Sequence, residues 1–125
     1  MSGPAVAVLD APSVLGLRPP APGKVPGAWR LPEALRANRL VERLGAADAG
    51  RVVPPPYSAE LDPATGVRNG DAIPGYSVAL ADQLGRLLDA GAFPLVLGGD
   101  CSILLGAMLA LRRRGRYGLV SIDGG

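Results

Sequence analysis

The sequence predicts an α/β fold, in which helices cover a doubly wound and mostly parallel sheet. Short apolar runs without alternation, at Ala5–Leu9, Pro94–Leu97 and Gly118–Ile122, are typical of strands that are buried on both faces of such a sheet. The stretches between them carry apolar residues at helical spacing. Strands and helices therefore alternate along the chain, and this order favours a doubly wound sheet.

Composition narrows the classes of protein that the chain can belong to. Its 125 residues form one domain at most, and 48% hydrophobic with 19% charged residues is typical of a globular protein. A net charge of +2 and few aromatic residues argue against a nucleic-acid-binding protein. The arginines at 112–116 are interpreted as the basic end of a helix.

The sequence also indicates the cellular compartment of the protein. A single cysteine allows no internal disulfide, which fits a cytoplasmic protein. The N-terminus lacks the pattern of a signal peptide, and no apolar run approaches the roughly 20 residues of a membrane span. We therefore expect a cytoplasmic protein with neither a membrane nor a nucleic acid as partner.

The first half of the chain predicts two strands separated by a helix. The strand from Ala5 leads into a loop at 11–27 that is rich in proline and glycine, and its length marks a rim loop or a mobile segment. A helical pattern starts near Pro32, is broken near Asn38 and stops at Gly45. Val52–Val53 begins a short strand that three prolines end.

The second half predicts two helices and two strands. A long helix runs from Gly75 to a glycine cap at Gly91, and the strand at 94–97 follows it. A second helix spans 103–114, and the strand at 118–122 comes last. Because later elements should cover that last strand, we expect the isolated chain to self-associate or to be poorly soluble.

The turn after the strand at 94–97 carries the residues with the most chemistry. Two glycines allow a sharp turn, and Asp100, Cys101 and Ser102 then lie where a helix begins. The next strand closes on Asp123. Ligands bind at the carboxyl ends of strands in open α/β sheets, so we expect neighbouring strands to bring Cys101 and Asp123 to one rim.

The pattern LGGDCS at 97–102, then a helix, then an apolar strand closing on Asp123 and Gly124, resembles the arginase/agmatinase (ureohydrolase) family. That family carries GGDHS, then DAHxD or DGHxD, and later SxDxD. The resemblance implies that 1–125 is a single partial domain, the N-terminal half of an arginase-like three-layer α/β/α fold. It further implies two manganese ions whose bridging hydroxide hydrolyses a small guanidino or amidino substrate, and assembly as trimers or hexamers.

This sequence departs from the family pattern at two motif positions. Cys101 stands at the histidine of GGDHS, and Gly125 stands at the histidine of DGH. The SxDxD stretch is not among the 125 residues, and the chain has no histidine at all. Manganese prefers oxygen and nitrogen donors, so a thiolate from Cys101 argues against manganese as the ion that the GGDHS histidine would bind.

The candidate site residues have functional and structural interpretations. Asp123 is either a metal ligand or an acid that caps a turn, and the resemblance favours the ligand. Cys101 is a metal ligand, a small buried residue, or a nucleophile at a helix N-terminus. Ser102 could cap the helix, while Asp100 could bond amides in the turn and, by the resemblance, support the ligands without touching the ions.

Other catalytic classes are excluded or unsupported. Without histidine, this chain contains no Ser-His-Asp or Cys-His arrangement, and it has no Walker A or GxGxxG motif. Two hypotheses remain. The chain is the N-terminal part of a metal-dependent ureohydrolase-like hydrolase, inactive alone, or it is a degenerate, non-catalytic module with an interaction or regulatory role.

Overall fold

A computed structural model describes residues 4–123, which form one small parallel sheet with helices packed on it. Its elements in chain order are β1 (Val6–Ala11), a 3-10 helix (Gly27–Arg30), α1 (Leu31–Ala37), α2 (Leu40–Leu44), β2 (Ala47–Arg51), α3 (Ile73–Asp89), β3 (Phe93–Gly98) and α4 (Ile103–Arg112). The alternation of strands and helices confirms the predicted α/β class.

The three strands lie in the order β2-β1-β3, and both pairs are parallel. The register of β1 and β3 runs from Val6 opposite Phe93 to Ala11 opposite Gly98. The chain moves from β1 to β2 on one side and then across β1 to β3 on the other. Because such crossovers are right-handed, the two connections lie on opposite faces, which is the doubly wound arrangement.

Strand β1 is the centre of the core because both of its faces are covered. Leu9 and Ala11 belong to the main apolar cluster, together with residues of α3 and α4. The buried hydrophobic members from these elements and from the loop after β1 are Leu9, Ala11, Leu15, Tyr76, Leu80, Ala81, Leu84 and Ala110. This burial explains why the first strand reads as an unbroken apolar run.

The opposite face of β1 is held by an ion pair with α1. Asp10 is only 3% exposed, and Nε of Arg36 donates to both of its carboxylate oxygens at 3.0 and 2.9 Å. Nη1 of the same arginine lies 3.0 Å from Asp48 in β2. The arginine therefore fixes α1 to two strands of the sheet at once.

Helix α4 packs on α3 through small residues. Gly106 and Ala110 are its buried positions. A Cβ added at Gly106 would lie 2.9 Å from both the Cβ of Leu80 and the backbone oxygen of Ser77. The missing side chain at Gly106 thus allows the two helices to approach closely.

In the first half of the chain, one prediction is confirmed and one needs correction. The helical pattern from Pro32 is broken near Asn38 and stops at Gly45 as predicted: it forms two short helices, because Arg39 adopts a left-handed conformation with φ 63°. The second strand lies at Ala47–Arg51 instead of beginning at Val52. It was missed because this edge strand is mostly exposed and carries few apolar residues.

The prediction of a strand at Gly118–Ile122 is wrong: no strand forms there. Residues 116–123 belong to no helix or strand, and Val120 and Ile122 are 90% and 94% exposed. A strand requires a hydrogen-bonded neighbour, and no strand among residues 4–123 pairs with this segment. The apolar run therefore lacks the cover that its composition requires.

None of the helices within residues 4–123 has the length and apolarity needed to cross a bilayer.

Candidate functional site

The carboxyl ends of β1 and β3 meet at a rim that is built on Gly99. This residue has φ +95°, and an added Cβ would lie 2.5 Å from the oxygen of Ser13 and 2.6 Å from that of Ala11. Only glycine fits both the backbone angle and the space. The turn after β3 can therefore lie directly against the loop that leaves β1.

Asp100 joins this turn to the rim loop with two hydrogen bonds and makes a third within the turn. Its side chain is buried, and its Oδ2 accepts a bond from the amide of Gly16 at 2.6 Å. Its Oδ1 accepts from Ser102 Oγ at 2.7 Å, and its own amide donates to the oxygen of Ser13 at 2.8 Å. The prediction that Asp100 binds amides in the turn is thus corrected: the side chain bonds an amide of the rim loop.

Ser102 occupies the position before α4, but its side chain does not cap the helix. The hydroxyl donates to Asp100 instead, and no cap hydrogen bond from the Ser102 side chain is formed. The predicted helix cap is therefore wrong, because Ser102 has helical backbone angles, φ −63° and ψ −22°, instead of the non-helical angles from which a capping side chain reaches the first-turn amides.

The structure brings Cys101 and Asp123 together. Sγ of Cys101 lies 3.7 Å from Oδ2 of Asp123, and both residues are exposed. Exposure rules out the interpretation of Cys101 as a small buried residue. The prediction that neighbouring strands deliver the two residues is wrong, because the segment that leads to Asp123 forms no strand within residues 4–123.

Asn69 is a structural centre of the rim. Its side chain is buried, and Nδ2 donates to the oxygens of Leu15 and Ser58 at 2.8 and 2.9 Å. Its Oδ1 accepts from the amide of Ser58 at 2.8 Å, so it links two loops. The Asn69-Gly70 pair was the available signal, because asparagine tolerates the observed φ of 54°.

Tyr76 lies beneath the rim as a neutral hydrogen-bond donor. Its hydroxyl donates to the oxygen of Val52 at 2.8 Å. Burial, and to a smaller degree the negative charge of Asp100, raises the pKa of this tyrosine well above its usual range. The phenol therefore stays protonated and contributes structure rather than acid–base chemistry near neutral pH.

The donor set of the rim does not fit manganese. Among residues 4–123 there is no group of three or more His, Cys, Asp or Glu side chains that could hold a metal ion. The pair at 101 and 123 offers one soft thiol and one carboxylate, whereas manganese takes about six oxygen or nitrogen donors. Gly125, at the position of the second motif histidine, lies outside the described residues.

The family model that matches this sequence is described as the arginase family, and it covers residues 21–124. A formimidoylglutamase of Aeromonas hydrophila is 46% identical over 48 residues, which make up 35% of this chain and 15% of that protein.

Solved structures of arginases have a fold similar to that of this chain. Arginase from Bacillus subtilis matches with a TM-score of 0.70 at 26% identity, covering 88% of this chain and 35% of its own. Arginase from Bacillus caldovelox matches with a TM-score of 0.74 at 25% identity, covering 88% of this chain and 37% of its own. The chain thus spans about a third of the length of these two arginases.

Proposed function

This chain belongs to the arginase family, and we propose that it is the N-terminal part of a metal-dependent hydrolase that cleaves C–N bonds of small guanidino or amidino compounds. Taken alone, the 125-residue chain is proposed to be inactive. The observation that supports this proposal is the 3.7 Å approach of Cys101 Sγ to Asp123 Oδ2. By the resemblance to the family motifs, these two residues would be ligands.

The proposed roles of the residues follow from their contacts. Asp123 would offer a carboxylate, the donor that hard divalent ions prefer, and Cys101 would offer a thiolate beside it. Asp100, buried and bonded to both the Gly16 amide and Ser102, would hold the turn in place without contacting an ion. This donor set does not fit manganese by itself, so a complete site would need oxygen or nitrogen donors from the rest of the domain.

The wider properties of the whole protein belong to the same proposal. Manganese as the cofactor, assembly as a trimer or hexamer and a cytoplasmic location are expected from family membership. The similarity to a protein named formimidoylglutamase supports an amidino-type substrate. Which compound is hydrolysed depends on parts of the domain that this chain does not span.

The proposal can be tested in a chimera with Bacillus subtilis arginase. The matched segment of that enzyme is replaced by residues 1–124 of this chain, so that the enzyme's own sequence supplies the position of Gly125, and hydrolysis of arginine, agmatine, formimidoylglutamate and guanidinobutyrate is measured with added Mn²⁺. We expect Cys101→His to raise activity at least tenfold over the unmodified chimera, and Asp123→Ala to abolish it. Asp71→Ala, on an exposed position distant in sequence from the rim turn, is the matched control and should leave activity unchanged.

Two results would contradict the proposal. Manganese-dependent product release by the purified 125-residue chain would disprove its inactivity. A folded Cys101→His chimera without any hydrolysis would contradict the assignment to a hydrolase.

A non-catalytic module is the second candidate function, and the donor set is the observation that favours it. A thiol replaces the motif imidazole, and no three-donor group exists among residues 4–123. If this candidate is correct, the folded chimera stays inactive with either cysteine or histidine at position 101.

A further inference from the structure

The side-chain amide of Asn69 holds two loops of the rim together. The residue is only 4% exposed, and its Nδ2 donates one hydrogen bond to the backbone oxygen of Leu15 and one to that of Ser58. Its Oδ1 accepts a bond from the Ser58 amide. Both protons of the side-chain amide are therefore engaged with carbonyl oxygens, and an ionised carboxylate, which has no proton to donate, could not replace it.

The next residue is glycine because the loop is packed tightly there. A Cβ added at Gly70 would overlap Oγ1 of Thr65 and would lie 3.1 Å from the backbone oxygen of Val67. The amide of Gly70 donates a hydrogen bond to that same oxygen at 3.1 Å. The fold thus requires an asparagine–glycine pair, which is thermolabile, since no side chain on the second residue hinders attack by its backbone nitrogen on the asparagine.

We propose that Asn69 is a site of spontaneous deamidation, which the closed rim protects and whose product prevents the rim from closing again. In the folded chain the side-chain amide is bound to Leu15 and Ser58. The attacking nitrogen, that of Gly70, is bound to Val67. Both reacting groups become available when the loops separate in a local opening of the fold. The reaction consumes only water, so it is independent of the hydrolase activity proposed above.

The chemistry is an exchange of the side-chain nitrogen for an oxygen of water. The backbone nitrogen of Gly70 loses its proton to hydroxide and attacks Cγ of Asn69. The new N–C bond closes a succinimide ring, and the side-chain nitrogen takes up a proton and leaves as ammonia. Water then opens the ring at either of its carbonyl groups, which gives aspartate or isoaspartate. No oxidant or reductant takes part.

Either product breaks contacts that Asn69 makes. Aspartate places an ionised oxygen against the carbonyl oxygens of Leu15 and Ser58, where two donated hydrogen bonds are lost. Isoaspartate routes the backbone through the former side chain and lengthens it by one carbon. The backbone oxygen of Asn69 accepts from the amides of Ala72 and Ile73 at 2.9 Å each, so that change also disturbs the start of α3.

The experiment measures the rate of conversion in the folded and the unfolded chain. The full 125-residue chain is incubated at one mildly alkaline pH with and without guanidinium chloride, and conversion of each asparagine is followed by peptide mass spectrometry. We expect Asn69 to convert at least tenfold faster in the denaturant. Asn38, the other asparagine of the chain, is exposed and is followed by Arg39, so it is the internal control and should convert more slowly than Asn69 in the denaturant.

Gly70→Ala tests the chemistry without depending on the fold. In guanidinium chloride the added methyl group hinders the attacking nitrogen, and conversion at Asn69 should slow at least tenfold. An unchanged rate would show that the succinimide route is wrong.

A second pair of variants distinguishes opening of the rim from unfolding of the whole chain. Asp100→Ala removes the bond to the Gly16 amide and loosens the rim loop, so it should speed conversion of Asn69 without denaturant at least threefold. Gly106→Ala strains the contact between α3 and α4 and leaves the bonds of the rim loop in place, so it should have a smaller effect. Equal acceleration by the two substitutions would overturn the protective role of the rim.

The effect of the product is measured on Asn69→Asp, which carries the aspartate form. We expect the ratio of folded to unfolded chain in urea to fall at least tenfold, whereas Asn38→Asp, on an exposed residue, should change it less than threefold. An unchanged ratio for Asn69→Asp would show that the rim closes around the product. Equal conversion of Asn69 with and without denaturant would overturn the whole inference.

Discussion

Asp100 and Gly16 are 84 residues apart in sequence, yet Oδ2 of the carboxylate accepts a hydrogen bond from the glycine amide at 2.6 Å. An added Cβ at Gly16 would lie 2.7 Å from the same oxygen. This contact joins the loop that leaves β1 to the turn that leaves β3. It therefore determines how the rim loop lies next to Cys101.

Removing this carboxylate should destabilise the chain. Asp100→Ala removes the acceptor of the Gly16 amide and of the Ser102 hydroxyl, and two such part-buried hydrogen bonds contribute about 1 kcal/mol each. We expect the free energy of unfolding in urea, followed by circular dichroism, to fall by about 2 kcal/mol. Asp71→Ala removes an exposed carboxylate and should change it by less than about 0.5 kcal/mol. Equal effects of the two substitutions would show that the contact does not stabilise the rim.

Local patterns were sufficient to predict the elements that form the buried half of the fold. The apolar run at β1 and the helical spacing of apolar residues in α3 each reflect burial, and buried elements show a regular pattern of apolar residues in sequence. The strand Ala47–Arg51 shows no such pattern, because it is an exposed edge strand held by its backbone hydrogen bonds to β1.

The sequence predicted which residues form the candidate site, but it did not predict how the backbone brings them together. The motif placed Cys101 and Asp123 at one rim, and the two side chains do approach. The sequence could not show that residues 118–122 lie unpaired, because strand formation depends on a neighbour that a local pattern does not reveal. Nor could it show the role of Asn69, whose three contacts reach residues 11 and 54 positions away.

The ion pair of Arg36 and Asp10 is expected to contribute strongly to stability. Burial opposes the charge on Arg36, but its bonds to and attraction by Asp10 and Asp48 outweigh this and raise the pKa of the guanidinium. Arg36→Met leaves the buried carboxylate of Asp10 without its partner, which should cost about 3 kcal/mol in urea unfolding. Arg43→Met, on an exposed face of α2, is the control and should cost less than about 0.5 kcal/mol. A loss below about 1 kcal/mol for Arg36→Met would mean that water replaces the arginine.

Acid should weaken the fold through two exposed carboxylates. The hydrogen bond from the Gly50 amide, and then the charge of Arg36, lowers the pKa of Asp48 below its ordinary value of 3.8. The hydrogen bond from Arg114 does the same for Asp89. Since both groups bind protons more weakly when folded, their stabilisation is present above 3.8 and is lost as pH falls from that value through the lower folded pKa.

The measurement is urea unfolding at a series of pH values. With no histidine in the chain, we expect little change between about pH 5 and 7, then a decline below about pH 4. The double substitution Asp48→Asn and Asp89→Asn should make that decline shallower, while Asp71→Asn should not. A decline of the same steepness in all three proteins would show that other carboxylates cause it.

The contact between α3 and α4 predicts opposite effects for two helical glycines. Gly106→Ala places a methyl group 2.9 Å from both the Leu80 Cβ and the Ser77 oxygen, so the helices must move apart. Overpacking of this kind should cost about 2 kcal/mol, even though alanine favours helix more than glycine does. Gly75→Ala, in the first turn of α3 with no atom within 4 Å of the added Cβ, should instead stabilise by about 0.5 kcal/mol. Urea unfolding of both variants measures the difference, and a neutral or stabilising Gly106→Ala would show that α4 packs less tightly on α3 than these distances require.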